Sequence, residues 1–366
     1  MDMSAHAPDQ PTPDAFVGRM FEAGVAMLDV LSVYLGDRLG LYRSLALEGP
    51  ATAAQLAARA SIDERYAREW LEQQAATGIL EVESETADHE RRRFRLPSEH
   101  AEALVDPDSP YSIAPLARSI VACASVMPQL LTAFRSGGGV PWSDYGSDMI
   151  EAQGEFNRPW LLRSFGAEHL PAVPDIHTRL QADPPARVAD VACGVGWAAI
   201  AIARAYPNVT VDGFDLDAPS IELARGNAVA AGVADRVTFK VRDAAEPSAA
   251  GRYDLAVVIE AIHDLSRPVE VLGAIRQMLG PGGTAIIADE KSADVFIAPA
   301  DAVERFLYGV SVTCCLPTAM TERPTAATGA VMRADTLRGY AAEAGFRAVD
   351  VLDLPHDFLR FYRLTP

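Results

Sequence analysis

The chain has 366 residues, of which 49% are hydrophobic, and a formal net charge of −18. This length suggests two domains, and the composition suffices for a sizeable core in the larger one. The excess of acidic residues repels a phosphate polyanion, which argues against nucleic acid as a partner. The sequence has neither a run of about 18 apolar residues nor a basic, apolar leader, so we expect a cytoplasmic protein without a membrane partner.

Cysteine and histidine are spaced without a metal-binding pattern. The cysteines Cys123, Cys193, Cys314 and Cys315 show no CxxC spacing, and the histidines show no HExxH motif. A disulfide between the adjacent Cys314 and Cys315 would be strained. We therefore expect reduced thiols and no metal ion.

An apolar helix is predicted over residues 14–47, after a disordered tail at 1–13. Its hydrophobic residues surround much of the helix, which is too apolar for a solvated one. It is either a core helix of its own domain or a contact with a second copy. Because so small an N-terminal module offers little to cover it, we favour a homodimer interface.

A winged helix is predicted within a domain at 14–105. Thr52 caps a helix over 53–60, and a second helix over 64–77 ends at Gly78. The runs 79–82 and 93–96 alternate as two strands of a wing.

This winged helix raises the alternative of DNA binding. The second helix carries a balanced set of charges, namely Glu64, Arg65, Arg68, Glu69 and Glu72. The wing is basic, with Arg91, Arg92, Arg93 and Arg95. A groove-reading helix would be more cationic, so we favour a structural module whose arginines lie on a solvated strand edge.

Residues 106–180 predict a helical connector that is interrupted by glycine and proline. Its aromatic residues Trp142, Tyr145, Phe156 and Trp160 could line a substrate pocket, although packing against the next domain is the simpler role.

An α/β domain with a doubly wound, Rossmann-like parallel sheet is predicted over 181–366. The order is strand 187–191, helix 197–205, strand 209–214, helix 219–231, strands 236–241 and 253–259, helix 268–279, strand 284–288 and helix 335–344. The runs 348–354 and 358–364 then form a terminal antiparallel hairpin.

A nucleotide pocket is indicated at the start of this domain. Residues 187–196 read Arg-Val-Ala-Asp-Val-Ala-Cys-Gly-Val-Gly, and Asp215 ends the next strand, nineteen residues after Gly196. A buried strand, a glycine turn, a helix and an acid for ribose hydroxyls form one binding device for an adenosine-containing cofactor. The motif GxGxxA also fits a nicotinamide-binding domain, so other features must decide between the two cofactors.

Three features decide: Asp190 at the end of the first strand, the acid in Arg242-Asp243-Ala244, and the terminal hairpin. With these, the chain resembles the class I S-adenosylmethionine-dependent methyltransferases. The resemblance implies that Asp190, Gly194 and Gly196 line the methionine side of the cofactor. It implies that Asp215 binds the ribose hydroxyls and that Asp243 and Ala244 lie at the adenine; Asp caps of the following turns are the alternative.

The implied cofactor site also includes Cys193 and Leu216. One position departs from the family pattern, because Ala192 replaces the first glycine of the turn. Its methyl group lies where the backbone usually approaches the cofactor most closely. Asp217, just before Pro219, is the expected cap of the next helix.

The whole chain resembles small-molecule methyltransferases in which a dimerising winged helix precedes the catalytic domain. It is most similar to a bacterial subgroup typified by a mycobacterial methyltransferase. This closer resemblance rests on Gly-Gly-Gly-Val-Pro-Trp at 137–142, Glu-Ala-Ile-His-Asp at 260–264 and Cys-Cys-Leu-Pro at 314–317.

A general base is predicted at His263, which follows the fourth strand of the sheet. Its His-Asp pair resembles the catalytic pair of O-methyltransferases, and a neutral imidazole suits removal of a hydroxyl proton. The alternative is a histidine that only fixes its loop. Asp264 is awkwardly placed to orient the ring, so Asp289 or Glu290 could equally do so.

Two further predictions concern the pocket. Glu260 could bind the methionine ammonium group of the cofactor, or it could be a buried structural carboxylate. The long insertion at 291–334, which is rich in apolar residues, is typical of a lid over an apolar or aromatic acceptor.

The sequence thus favours methyl transfer to a small molecule, with an oxygen acceptor because of His263. Two alternatives remain: a transcription regulator that senses the cofactor, and the same scaffold with altered chemistry.

Overall fold

The chain forms two compact units, of which the first ends at Val121 and the second begins at Ala122. The computed structural model describes residues 12–83, 88–246 and 251–366. The predicted disordered tail at 1–13 lies outside these ranges except for its last two positions.

The predicted connector at 106–180 is not a body of its own, because the division between the units falls inside it. The physical reason is burial. Leu161, Phe165 and Leu170 belong to the same hydrophobic core as the strands of the large sheet. Most of this segment is therefore an integral part of the second unit.

The first unit is mainly helical. Its elements are α1 Pro13–Arg38, α2 Leu41–Glu48, α3 Ala53–Ala60, α4 Glu64–Ala76, β1 Glu81–Val82, β2 Phe94–Arg95, α5 Ser98–Val105 and α6 Ala114–Ser125, whose end crosses into the second unit. The predicted helix at 14–47 is divided, because Gly40 adopts a left-handed φ of 68° between α1 and α2. The predicted cap Thr52 is present and forms a capping box with Gln55. The Asp63 side chain caps α4, which the sequence did not predict.

The wing consists of β1 and β2, which pair antiparallel over two residues each and are shorter than predicted. The helices of this unit share a core in which the rings of Tyr42 and Trp70 pack edge to face, with their centroids 5.1 Å apart. The Trp70 Nε1 donates to the carbonyl of Ser32 at 2.9 Å. A Cβ on Gly36 would lie 2.5 Å from both rings, so glycine allows α1 to approach them.

Much of the apolar surface of α1 is exposed. Its exposed side chains include Phe16, Val17, Met20, Phe21, Leu28 and Leu35. Phe21 is 69% and Leu28 63% exposed, which is unusual for side chains of this size in a folded chain.

The second unit alternates helices and strands. It contains α7 Met127–Ser136, α8 Gly146–Trp160, α9 Pro174–Gln181, β3 Arg187–Val191, α10 Trp197–Ala205, β4 Thr210–Asp215, α11 Ala218–Ala230, β5 Val237–Val241, β6 Tyr253–Ile259, α12 Pro268–Met278, β7 Leu279–Glu290, α13 Ala302–Val310, α14 Leu316–Ala319, α15 Ala334–Glu343, β8 Ala348–Leu352 and β9 Leu359–Thr365. Segments of π-helix follow α8 at Leu161–His169 and α13 at Ser311–Cys315.

The strands form a seven-stranded sheet in the order β5-β4-β3-β6-β7-β9-β8. Strands β3 to β7 are parallel, and β9 is antiparallel to both of its neighbours. The predicted doubly wound sheet and terminal hairpin are confirmed. The chain order reverses at β3, and ligands of such sheets bind at the carboxyl ends of the strands beside that point.

Strand β7 is longer than predicted and begins at Leu279, so the run Gly-Pro-Gly-Gly lies inside it. The register against β6 shifts between Tyr253 and Leu255, and Gly282 has a φ of 77°. The glycines therefore form an irregular start to the strand, which was predicted to begin only at residue 284.

In the described part of the chain, no single helix has the length and apolar composition of a membrane span. The bent pair α6 and α7 meets that criterion only when the two helices are taken together.

Candidate active site

A glycine turn connects β3 to α10 at the carboxyl edge of the sheet. Ala192, Gly194 and Gly196 have φ values of 55°, 50° and 85°, all in the left-handed region. Glycine adopts this region freely, whereas alanine pays about 1–2 kcal/mol for it. The Cys193 N–H donates to the carbonyl of Phe214 at 3.0 Å and so fastens the turn to β4.

Asp215 ends β4 directly beside this turn. Its Oδ2 accepts from the Gly194 N–H at 2.8 Å, and its Oδ1 accepts from the Asp217 N–H at 2.9 Å. Burial raises the pKa of Asp215, opposed by these backbone hydrogen bonds. The next residue, Leu216, is 63% exposed. Asp217 is the helix cap that the sequence predicted, since its carboxylate accepts from the Ser220 N–H at 2.9 Å.

Asp190 lies beneath the turn. Its side chain is buried, and its Oδ2 accepts from the Ala199 N–H of α10 at 3.0 Å. Burial raises the pKa of Asp190 to about 7. This carboxyl group therefore fixes the helix behind the turn, and its contact with a ligand stays a prediction.

Asp243 follows β5, the strand that borders β4 on the side away from β3. Its Oδ1 accepts from the Ala245 N–H at 2.8 Å, so it forms the turn that was the alternative to a ligand role. Its Oδ2 accepts from Arg267 at 2.9 Å, a partner that the sequence did not indicate. Ala244 is partly buried and packs against the core of the sheet.

Glu260 lies at the end of β6 with a φ of 50°, a strained conformation for a residue with a side chain. Its Oε2 accepts from Gln153 at 2.7 Å and from Asn157 at 2.6 Å. Both amides come from α8, and sequence reasoning missed them. Burial raises the pKa of Glu260, against the effect of the Asn157 hydrogen bond.

His263 forms a buried pair with Asp289 at the end of β7. The Nδ1 of the ring lies 2.7 Å from Asp289 Oδ1, and its Nε2 lies 3.3 Å from Asp264 Oδ1. Asp289 is therefore the partner of the ring, one of the two that the sequence left open. Glu290, the other, is close enough to act on the ring by its charge.

The carboxylates around His263 determine its protonation. Burial lowers the pKa of His263, but the charges of Asp264 and Asp289 outweigh it and raise the pKa well above its ordinary value. Burial raises the pKa of Asp264, and burial with the charge of Glu260 raises that of Glu290. The neutral imidazole expected from the sequence is thus disfavoured near pH 7 in the protein alone.

Three motifs that lie far apart along the chain meet beside the pair of His263 and Asp289. They are the segments 137–142, 260–264 and 314–317. The Val140 N–H donates to the carbonyl of Pro317 at 3.0 Å. The Cys315 thiol lies at hydrogen-bonding distance from the Asp264 carboxyl group, and the Gly329 N–H donates to the carbonyl of His263 at 3.1 Å. The insertion at 291–334 therefore contacts the loop that carries the histidine.

The aromatic residues of the segment 106–180, which was predicted to be a connector, have separate roles. Trp160 packs edge to face on Phe165 and Phe361 in the sheet core, which matches the packing alternative. The Tyr145 hydroxyl donates to the carbonyl of Thr313 in the insertion at 2.9 Å. The site is thus bordered by α8, the insertion and the carboxyl ends of β3, β4, β6 and β7, an arrangement that defines a nucleotide-cofactor fold.

Comparison with known proteins gives one family match within each unit. The family described as Methyltransferase domain matches residues 188–283, and the Rv2258c-like winged HTH domain matches residues 26–105. The chain therefore carries a methyltransferase domain with the class I, S-adenosylmethionine-dependent fold, preceded by a winged helix domain.

Individual relatives agree with this assignment. The chain is 33% identical to the methyltransferase GfsG of Streptomyces halstedii, over 31% of this chain and 41% of that protein. It is 28% identical to an O-methyltransferase of Pyrenophora dematioidea, over 49% of this chain and 61% of that protein. In both cases the chain spans less than two thirds of the relative's length.

Human N-acetylserotonin methyltransferase, solved in complex with SAM, is similar over 98% of this chain and 99% of that chain. The TM-score is 0.69 and the sequence identity is 16%. This similarity establishes the fold.

Proposed function

We propose that the protein transfers a methyl group from S-adenosylmethionine to a small, apolar or aromatic molecule, with oxygen as the accepting atom. One observation carries the proposal: an acid-anchored glycine turn and a buried His-Asp pair share the carboxyl edge of the sheet. The family of the domain and the relatives described above support the cofactor. The insertion and α8 would exclude water from the reacting groups.

In this proposal Asp215 accepts hydrogen bonds from the two ribose hydroxyls, for which its two oxygens are suited. We expect S-adenosylmethionine, and not NADH, to bind in a calorimetric titration, with the affinity lost in Asp215→Ala. Asp217→Ala is the matched control, because it removes the neighbouring carboxylate and a helix cap worth about 1 kcal/mol of folding stability but no cofactor contact. NADH binding, or equal affinity in Asp215→Ala, would contradict this assignment.

His263 is the proposed general base. A positively charged sulfonium bound beside the acidic cluster would lower the pKa of His263 by charge repulsion, which favours the neutral form. Once an acceptor screen has given a substrate, His263→Ala should lower turnover by about 10² to 10⁴-fold and leave cofactor affinity unchanged. Unchanged turnover would remove the base role.

We propose a homodimer through α1, on the basis of its exposed apolar side chains. For the winged helix we propose a structural role without DNA. The arginines of the wing support this, because Arg92, Arg93 and Arg95 form ion pairs with Glu72, Glu83 and Glu81. Phosphate contacts would have to break these pairs.

A further inference from the structure

In the described ranges, one group of His, Cys and acidic side chains has the spacing of metal ligands: His263, Asp264 and Cys315. Their ligand atoms all lie within 4.8 Å of one another, and His263 Nε2 lies 3.3 Å from Asp264 Oδ1. Two ligands of a tetrahedral zinc ion at its usual N and O bond lengths are about 3.4 Å apart. The imidazole and the carboxylate are therefore already at the required distance.

Two details of the hydrogen bonding support a cation at this point. Asp264 Oδ1 is buried and accepts no well-formed hydrogen bond among the described residues, although His263 Nε2 lies 3.3 Å away and a buried carboxylate oxygen normally has such a bond. Asp289 Oδ1 lies 2.7 Å from His263 Nδ1, so Nε2, which faces Asp264, is the ring nitrogen that can bind a metal. A carboxylate on the remote nitrogen is the usual outer partner of a metal-binding histidine.

The charge of the surrounding residues also favours a bound cation. The carboxyl groups of Glu260, Asp289 and Glu290 all act electrostatically on His263 or on each other within this buried cluster. A single protonated imidazole does not balance several carboxylates, and the remaining like charges are costly in a poorly solvated site. One nitrogen, one oxygen and one sulfur ligand suit zinc, whereas magnesium and calcium prefer oxygen ligands alone.

We propose that His263 Nε2, Asp264 Oδ1 and Cys315 Sγ bind a zinc ion, with the fourth position open to water or a ligand. This contradicts the expectation from the sequence that no metal is bound. A bound zinc ion would occupy the nitrogen with which His263 takes the substrate proton, so zinc would inhibit the enzyme. That consequence rests on the proposed function, whereas zinc binding does not.

The test is a titration of the full-length, chelator-treated protein with Zn²⁺ by calorimetry and with Co²⁺ by absorption. We expect one equivalent of Zn²⁺ and a thiolate-to-cobalt charge-transfer band. Cys315→Ser should abolish the band and weaken Zn²⁺ binding at least about tenfold. Asp289→Asn, which changes an outer partner and no ligand, should weaken binding by about 10 to 100-fold.

Cys193→Ser is the matched control, since this thiol lies on the glycine turn and should not alter Zn²⁺ binding. Absence of stoichiometric binding, or equal binding in wild type and Cys315→Ser, would overturn the zinc site. Titration of the same metal-free samples with S-adenosylmethionine separates the two proposals. Cofactor binding without zinc binding refutes only the metal site, and zinc binding without cofactor binding refutes only the proposed function.

Discussion

The buried carboxyl group of Asp190 makes folding stability depend on pH. Its pKa rises from 3.8 to about 7 on folding, mainly through burial. The folded state therefore holds a proton that the unfolded state releases above its own pKa. This stabilising effect is complete below pH 3.8 and is lost as the pH rises through about 7.

We predict that Asp190→Asn reduces this loss of stability between pH 4 and pH 7, because asparagine can still accept from the Ala199 N–H but does not ionise. Urea denaturation of the variant and the wild type at both ends of that range measures the difference. The exposed Asp235→Asn should behave like the wild type. An unchanged pH dependence in Asp190→Asn would show that Asp190 does not titrate in this range.

Ala192 offers a second test at the residue scale. Its left-handed φ of 55° costs about 1–2 kcal/mol, whereas the greater freedom of glycine in the unfolded chain costs about 0.4–1 kcal/mol. We therefore predict that Ala192→Gly raises the free energy of unfolding by about 0.5–1 kcal/mol. The helical control Ala342→Gly should lower it, by up to about 1 kcal/mol. A loss of stability in both variants would contradict the strain at Ala192.

The sequence predicts those site residues whose role depends on local spacing. The glycine turn follows β3, and Asp215 and the cap Asp217 follow β4, the next strand along the chain, so their geometry depends on residues nearby in sequence. The partners Gln153 and Asn157 of Glu260 lie more than 100 residues away from it. Cys315 lies 52 residues after His263 along the chain. No local pattern encodes such contacts, because they depend on how α8 and the insertion pack.

At the scale of elements, the regular helices and parallel strands follow from periodicity and caps. The differences arise where tertiary packing decides. The segment after Val121 is apolar enough to join the core of the second unit, and β7 extends back to Leu279 because β6 lies beside it. Neither effect is visible in the local sequence.

Gly139 shows how two elements of the site depend on close backbone contact. A Cβ at this position would lie 2.4 Å from the Pro317 oxygen and 2.5 Å from the Thr321 nitrogen, and backbone atoms cannot move aside easily. We predict that Gly139→Ala costs about 1–3 kcal/mol of folding stability, measured by urea denaturation. In Gly138→Ala the Cβ would meet a serine hydroxyl at 3.1 Å, so a smaller loss is expected. Equal losses in the two variants would contradict this account.

At the scale of the whole molecule, the net charge of −18 and the paired arginines of the wing act together. An acidic protein gains little DNA-binding affinity from the release of counterions, because few of its lysine and arginine side chains are free to contact phosphates. This supports the structural role proposed for the winged helix, in which α1 is the proposed contact between two chains.

The exposed side chains of α1 lead to a prediction about the oligomeric state. Phe21 and Leu28 are more than 60% exposed, so their replacement removes no core contact from the single chain. We predict that the wild type has the mass of two chains in light scattering and that Phe21→Glu with Leu28→Glu has the mass of one, because buried carboxylates would oppose association. Val229→Glu alters a side chain on α11 that is 69% exposed and should remain dimeric. A monomeric wild type, or a dimeric double variant, would exclude α1 as the interface.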